Sequence, residues 1–186
     1  MTGRIAIAAA LAVVCGAWAA RAEEETPGRR PALSLEVDPA PFFMGGWSVA
    51  AGAASGRLRW SVNSFAYDVP SFAAEPGWRE RVELGFGARV QLYLRDGARG
   101  FYGGMQAGVR SVRFEREGSE GMARVTQIDL LPHVGYRWFT GLGGLYLMPA
   151  AGLDVLLWSS PASAGGAPVP TSRFAPVLAL HVGYEL

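Results

Sequence analysis

The residues of this chain best suited to acid–base or metal chemistry are its two histidines, His133 and His181. They stand in matching settings, His133-Val134-Gly135-Tyr136 and His181-Val182-Gly183-Tyr184. With Asp129 and Glu185 they offer metal-donor types, but the donors lie on separate segments with no close ligand spacing. Nucleophilic catalysis needs a hydroxyl or thiol beside a base. Neither histidine has a Ser two residues away, and no Gly-x-Ser-x-Gly elbow occurs. Ser111 and Ser119 have no base assigned to them by sequence. The one cysteine, Cys15, lies in the apolar leader, which leaves the rest of the chain without disulfide or thiol chemistry. The sequence therefore predicts no catalytic set, no cofactor and no metal site.

A larger set of polar residues recurs at alternate positions of apolar segments, which is the pattern of strands. Between Arg79 and Arg95, even positions read Val82, Leu84, Phe86, Ala88, Val90, Leu92 and Leu94. Odd positions include Arg79, Arg81, Glu83, Arg89, Gln91 and Arg95. In a strand the two sets lie on opposite faces. The phase holds well beyond the roughly 5–6 residues of a soluble strand, and a tilted membrane strand needs about 9–11. Similar alternation predicts strands near 57–67, 101–117, 124–139, 145–158 and 173–186. In 101–117 the phase slips at Val112 and Phe114, which predicts a β-bulge near Arg110 and Ser111. Residues 33–54 contain Pro39 and Pro41, each lacking a ladder donor. Splitting there gives strands near 32–38 and 44–54, and eight in all. Pro132, Pro149 and Pro176 sit inside other strands, where a closed ladder has no free edge for them.

Connections near 55–56, 96–100 and 140–144 are short and Gly-rich. Those at 68–77 and 160–171 are long, and 118–122 is intermediate. Tight turns at one end and longer loops at the other are the habit of outer-membrane barrels. Residues 1–22 read as a signal peptide: Arg4, an apolar run from Ile5 to Val14, and Ala20-Arg21-Ala22 before the cleavage point. Residues 23–31 read as a disordered mature N-terminus, and 32–186 as the folded domain. Charge excludes a nucleic-acid partner, because the net charge is +1 and no basic block is present.

On this alternation, the short turns and Gly100-Phe101-Tyr102-Gly103, the chain resembles the small eight-stranded outer-membrane β-barrels over about residues 33–186. The resemblance implies an all-β, antiparallel up-and-down transmembrane barrel following a cleaved signal peptide. It implies an outer-membrane location, with membrane lipid, lipopolysaccharide and the assembly machinery as partners. The inward set is then Arg57, Arg59, Arg79, Arg81, Glu83, Arg89, Arg110, Asp129, His133, Arg137, Asp154, His181 and Glu185. Both signs are present, so an internal ion-pair network is expected, because buried charges need partners. Tyr136, Trp138, Phe174 and Tyr184 are expected as interfacial aromatics. The expected role is structural, adhesive or interactive, with no solute channel and with recognition in the loops. Two other readings are a lipid-modifying hydrolase and a soluble lipocalin-like carrier. A carrier would turn its apolar face inward, and parity alone does not separate it from a membrane barrel.

Overall fold

The computed structural model describes residues 31–119 and 121–186. The signal peptide 1–22 and, Pro31 apart, the predicted disordered segment 23–31 lie outside them. The described elements are β1 (Ala32–Val37), α1 (Ala40–Phe43), β2 (Trp47–Ser55), β3 (Leu58–Asp68), β4 (Trp78–Arg95) and β5 (Arg99–Arg116). They continue with β6 (Met122–Phe139), β7 (Leu145–Ser159), a small hairpin β8 (Ser163–Ala164) and β9 (Ala167–Pro168), and β10 (Phe174–Glu185). Eight of the strands close in the order β1-β10-β7-β6-β5-β4-β3-β2, and every pairing in the ring is antiparallel. Eight strands are what the alternation predicts, and their up-and-down closure is what the resemblance implies. The split at Pro39 and Pro41 is real, with α1 bridging β1 to β2.

The barrel is apolar outside and polar inside. Phe86 (53% exposed), Leu92 (56%), Phe101 (65%) and Val134 (63%) are among the large hydrophobics on the outer wall, while Arg59, Glu36 and Arg137 are fully or almost fully buried. A water-soluble sandwich or carrier inverts this arrangement, since burial of apolar surface is what folds it.

The predicted bulge exists, but on β4 rather than β5. On β5 the even residues from Tyr102 to Phe114 all face inward without a slip. On β4, Val82 pairs with Val112 and Leu84 with Ser111, so Glu83 is the extra residue. It resets the parity of everything before it. Val82 turns inward, while Arg79, Arg81 and Glu83 turn outward. Val112 and Phe114 are inward after all, because the interior itself becomes apolar at the loop end. There Val82, Val112, Phe114, Ala123 and Val125 form a buried cluster, which Ala164 and Val169 of the folded-in 160–173 segment complete. Because Glu83 is surplus, its deletion leaves Val82 inward and Arg81 outward. We expect ΔGlu83 to give the same heat-shifted gel band as the wild type. Deleting Val90 instead reverses Arg89 to the outer face and should abolish that band.

The three strand prolines each have a place. Thr140 donates its N–H to Leu145 O, so even residues of β6 address β7. Pro132 and Pro149 therefore both sit on the β6–β7 seam. Pairing lapses there at Leu131–Pro132 opposite Leu153–Asp154, and at Tyr136–Arg137 opposite Met148–Pro149. Pro176 faces the other side of β10, beyond the reach of the short β1.

Candidate functional site

The polar interior is built in layers by residues two apart on each strand. At the turn end the connection after β4 folds under the barrel. The Gly97 and Ala98 N–H groups both donate to Gly56 O, at 2.9 and 3.0 Å. Ala98 holds a left-handed φ of 48° and is fully buried with Tyr93, Tyr102, Tyr146, Met148 and Ala54. Arg137 passes over this cluster, its guanidinium carbon 3.8 Å from the Tyr146 ring centre and 4.7 Å from that of Phe139. Its Nη1 donates to Ala98 O at 3.2 Å, and its Nη2 lies 3.1 Å from the Glu185 carboxylate.

Above this plug lies a network centred on Glu36. Its Oε1 is 2.6 Å from Arg59 Nη2 and accepts from the Tyr146 hydroxyl at 2.5 Å. Arg59 also donates to Gln91 Oε1 at 2.9 Å and to the Ser34 hydroxyl at 3.1 Å. Arg89 Nη1 stands 3.9 Å from Glu36 Oε2 and donates to His181 Nε2 at 3.2 Å. His133 Nδ1 lies 3.0 Å from Leu131 O, and its Nε2 lies 3.4 Å from Gln91 Nε2. These contacts fit two neutral imidazoles whose Nε2 atoms accept. Further up, Arg110 joins Asp154 at 2.8 Å and Asp129 at 3.6 Å. It also donates to Gln127 at 2.9 Å.

The four residues weighed for a metal thus fall into three separate contacts: Asp129 with Arg110, Glu185 with Arg137, and the histidines with Arg89 and Gln91. Among the described residues no group of three His, Cys, Asp or Glu side chains is placed to hold a metal ion. Between the Glu36 and Arg110 layers is a cavity of about 150 Å³, with Arg89, His133, His181, Gln106, Asn63 and Asp154 in its wall. Asp38, in the connection after β1, also reaches it. Burial raises the Asp38 carboxyl above its ordinary value, opposed by the Ala40 N–H it accepts and by Arg89.

Nine of the thirteen residues predicted inward are inside: Arg59, Arg89, Arg110, Asp129, His133, Arg137, Asp154, His181 and Glu185. The other four are corrections. Arg57 is in the exposed turn before β3, where its Nε donates to Tyr93 O at 2.8 Å. Arg79, Arg81 and Glu83 are outside because of the Glu83 bulge. Arg81 pairs there with Asp68 at 2.8 Å, Glu83 with Arg124 at 2.8 Å, and Arg79 with Glu117 at 3.8 Å. Together with Arg113 and Glu115, 3.1 Å apart, they ring the outer wall beyond its apolar belt. The sequence reading missed Glu36, the centre of the network. The signal was Leu33, Leu35 and Val37 alternating with Ser34 and Glu36.

Tyr136, Trp138 and Tyr184 are exposed on the outer wall near the turn end, and Tyr136 meets Phe101 edge-on with ring centres 4.8 Å apart. Phe174 is also exposed, but it opens β10 at the loop end. The repeated histidine motif has a packing cause. Tyr102 is paired with Gly135 and Tyr146 with Gly183. In both cases the tyrosine ring occupies the space a Cβ on that glycine would take. The histidine two residues earlier is thereby set inward one layer higher.

No family model matches the chain, and no curated protein matches it. Among solved structures it is similar to the crystal structure of Neisserial surface protein A. The identity is 13%, over 84% of this chain and 95% of that one, with a TM-score of 0.43. The fold assigned above rests on the strand pairing alone.

Proposed function

We propose that the protein is an integral outer-membrane barrel with a structural, adhesive or interaction role and no solute channel. One observation carries the reading: hydrophobic side chains are exposed around the outer wall while charged ones are buried within. Only a lipid surround makes that arrangement favourable, because in water the same belt drives association. A soluble carrier of the lipocalin type needs the opposite faces. The plug at the turn end and the apolar cluster at the loop end support a closed interior, as does the narrowness of eight-stranded barrels.

The polarity of insertion follows from the connections. Tight turns at 56–57, 96–98 and 140–144 face the periplasm, and the longer connections face outward. The outer ring then offers Arg79, Arg81, Arg113 and Arg124 at the height of lipopolysaccharide phosphates, interspersed with acidic partners. Recognition falls to the loop end, including the hairpin β8–β9. We read no hydrolase in the interior. Lipopolysaccharide incubated with the solubilised protein should keep its acyl content by mass spectrometry.

The reading is tested on outer-membrane fractions. The unboiled protein should migrate apart from the boiled form and resist carbonate extraction, and planar bilayers should show no large steady conductance. Release into the carbonate supernatant would sink it. Phe86→Arg places a charge in the middle of the apolar wall and should cost about 2–4 kcal/mol, measured as a lower denaturant midpoint for loss of the heat-shifted band. An unchanged midpoint would mean that water, not lipid, surrounds that wall.

A further inference from the structure

The wall of the barrel is notched. β1 stops at Val37, and β10 is paired with it only from Val182 to Glu185, although β10 runs back to Phe174. The Leu186 N–H donates to Leu33 O and the Glu185 N–H to Gly144 O, so even residues of β10 address the β1 side. Above Val182, the N–H groups of Leu178 and Leu180 and the carbonyls of Pro176, Leu178 and Leu180 meet no strand among the described residues. Pro176 has no N–H to leave bare on that edge, which accounts for its tolerance there. α1 packs instead on β2 and β3.

Exposure agrees. Ala175, Val177, Ala179 and His181 point inward, yet all are partly or fully exposed, whereas Arg89 and Gln91 on β4, across the ring, are buried. Leu178 is 85% exposed, against 56% for Leu92, which is paired on both sides. Bare backbone groups facing hydrocarbon are costly, so something polar must reach this edge.

Directly behind the notch is the 150 Å³ cavity, whose wall includes Val177, Ala179 and His181. It contains a built polar site. The Arg89 side chain is 3% exposed, and its Nε has no hydrogen-bond partner among the described residues. Asp154 Oδ1 and Asn63 Oδ1 line the same cavity and are buried without partners as well. An orphaned cationic donor and orphaned acceptors in one space suit a ligand carrying both an anionic group and an ammonium. Entry through an apolar wall suits a ligand with a hydrocarbon tail.

We infer that the notch between β10 and β2 is a lateral port to a binding site for a zwitterionic amphiphile. Its anionic group meets Arg89, its ammonium meets Asp154 and Asn63, the polar linkage between headgroup and tail lies along the bare edge of β10, and the tail leaves past Leu178. This inference rests on the membrane reading above.

The test uses the whole barrel, folded into bilayers of equal phosphatidylethanolamine and phosphatidylglycerol and released in mild detergent for native mass spectrometry. One phosphatidylethanolamine per barrel should be retained, in preference to phosphatidylglycerol. Arg89→Gln and Ala179→Phe should each lower that retention at least tenfold while keeping the heat-shifted band. Should Arg89→Gln not fold, Ala179→Phe, which fills the port without touching the charges, decides alone. Equal retention of phosphatidylglycerol, unchanged retention in Ala179→Phe, or no lipid retained would overturn the proposal. Binding of free phosphoethanolamine by a barrel that retains no lipid would overturn the lateral route and place the source in solvent. Loss of the wild-type heat shift would instead count against membrane insertion itself.

Discussion

Glu36→Ala should destabilise the barrel by about 3–5 kcal/mol, the cost typical of removing one partner of a buried ion pair. The carboxylate is completely buried, as is the Arg59 side chain 2.6 Å away. Without it, Arg59 keeps only the neutral partners Gln91 and Ser34. Arg89 loses its nearest carboxylate, and the Tyr146 hydroxyl loses its acceptor. Neither guanidinium escapes by releasing a proton, because arginine stays charged. The measurement is the denaturant midpoint for loss of the heat-shifted band in refolded protein.

A second variant separates charge from packing. Glu36→Leu combined with Arg59→Met removes the pair as a unit, and replacing a buried pair by apolar side chains is often neutral or better. Part of the loss should return in the double variant, less than all of it because Arg89 remains. If the double variant is as unstable as both single losses added together, the two groups act independently and the network is not what holds this layer.

The part of the fold most legible in the sequence was what depends on period two alone. Leu84 to Leu94, Ile128 to Trp138 and Leu178 to Tyr184 declare an outer face, and Arg89, Asp129, His133, Arg137, His181 and Glu185 follow from them as inward. What escaped depends on a single residue or on closure. Glu83 is a surplus residue inside an otherwise perfect alternation, and only the pairing of Val82 with Val112 exposes it. Its effect was to send Arg79 and Arg81 outside, while Val112 and Phe114 look misplaced for a separate reason, the apolar interior at the loop end. Beyond the belt the outer wall carries Arg81, Arg113 and Arg124, so the polarity of its two faces reverses, and the interior there packs like a soluble core.

Glu36 was overlooked because β1 is only six residues long, too short for alternation to stand out. Arg57 looked inward by parity but belongs to a turn, where parity has no meaning. The free edge of β10 was also out of sight, since it arises from the unequal lengths of two strands far apart in the chain. Pro176 was the local trace of it. A proline in a paired strand is a contradiction until the strand has an unpaired side.

Gly183→Val should prevent formation of the heat-shifted species altogether. A Cβ at this position would clash with the hydroxyl end of the Tyr146 ring, at its Cζ, and that ring has nowhere to go. Tyr146 is completely buried, its hydroxyl is held by Glu36, and the Arg137 guanidinium lies 3.8 Å above its face. Over-packing alone costs about 1–3 kcal/mol. Here relief requires moving the ring, which breaks the Glu36 bond and the Arg137 stack at once. It also unlocks the β7–β10 register, because the ring over the glycine is what makes Tyr146 opposite Gly183 the fitting pair. The steric cause is separable from any dislike of valine in a strand. Gly103→Val, where nothing lies within 4 Å of an added Cβ, should fold normally. Tyr146→Ala combined with Gly183→Val should recover a folded band, weakened by the lost tyrosine contacts. A Gly183→Val single variant with wild-type stability would mean that ring and glycine do not set the register. The matching Tyr102–Gly135 pair would then lose its explanation too.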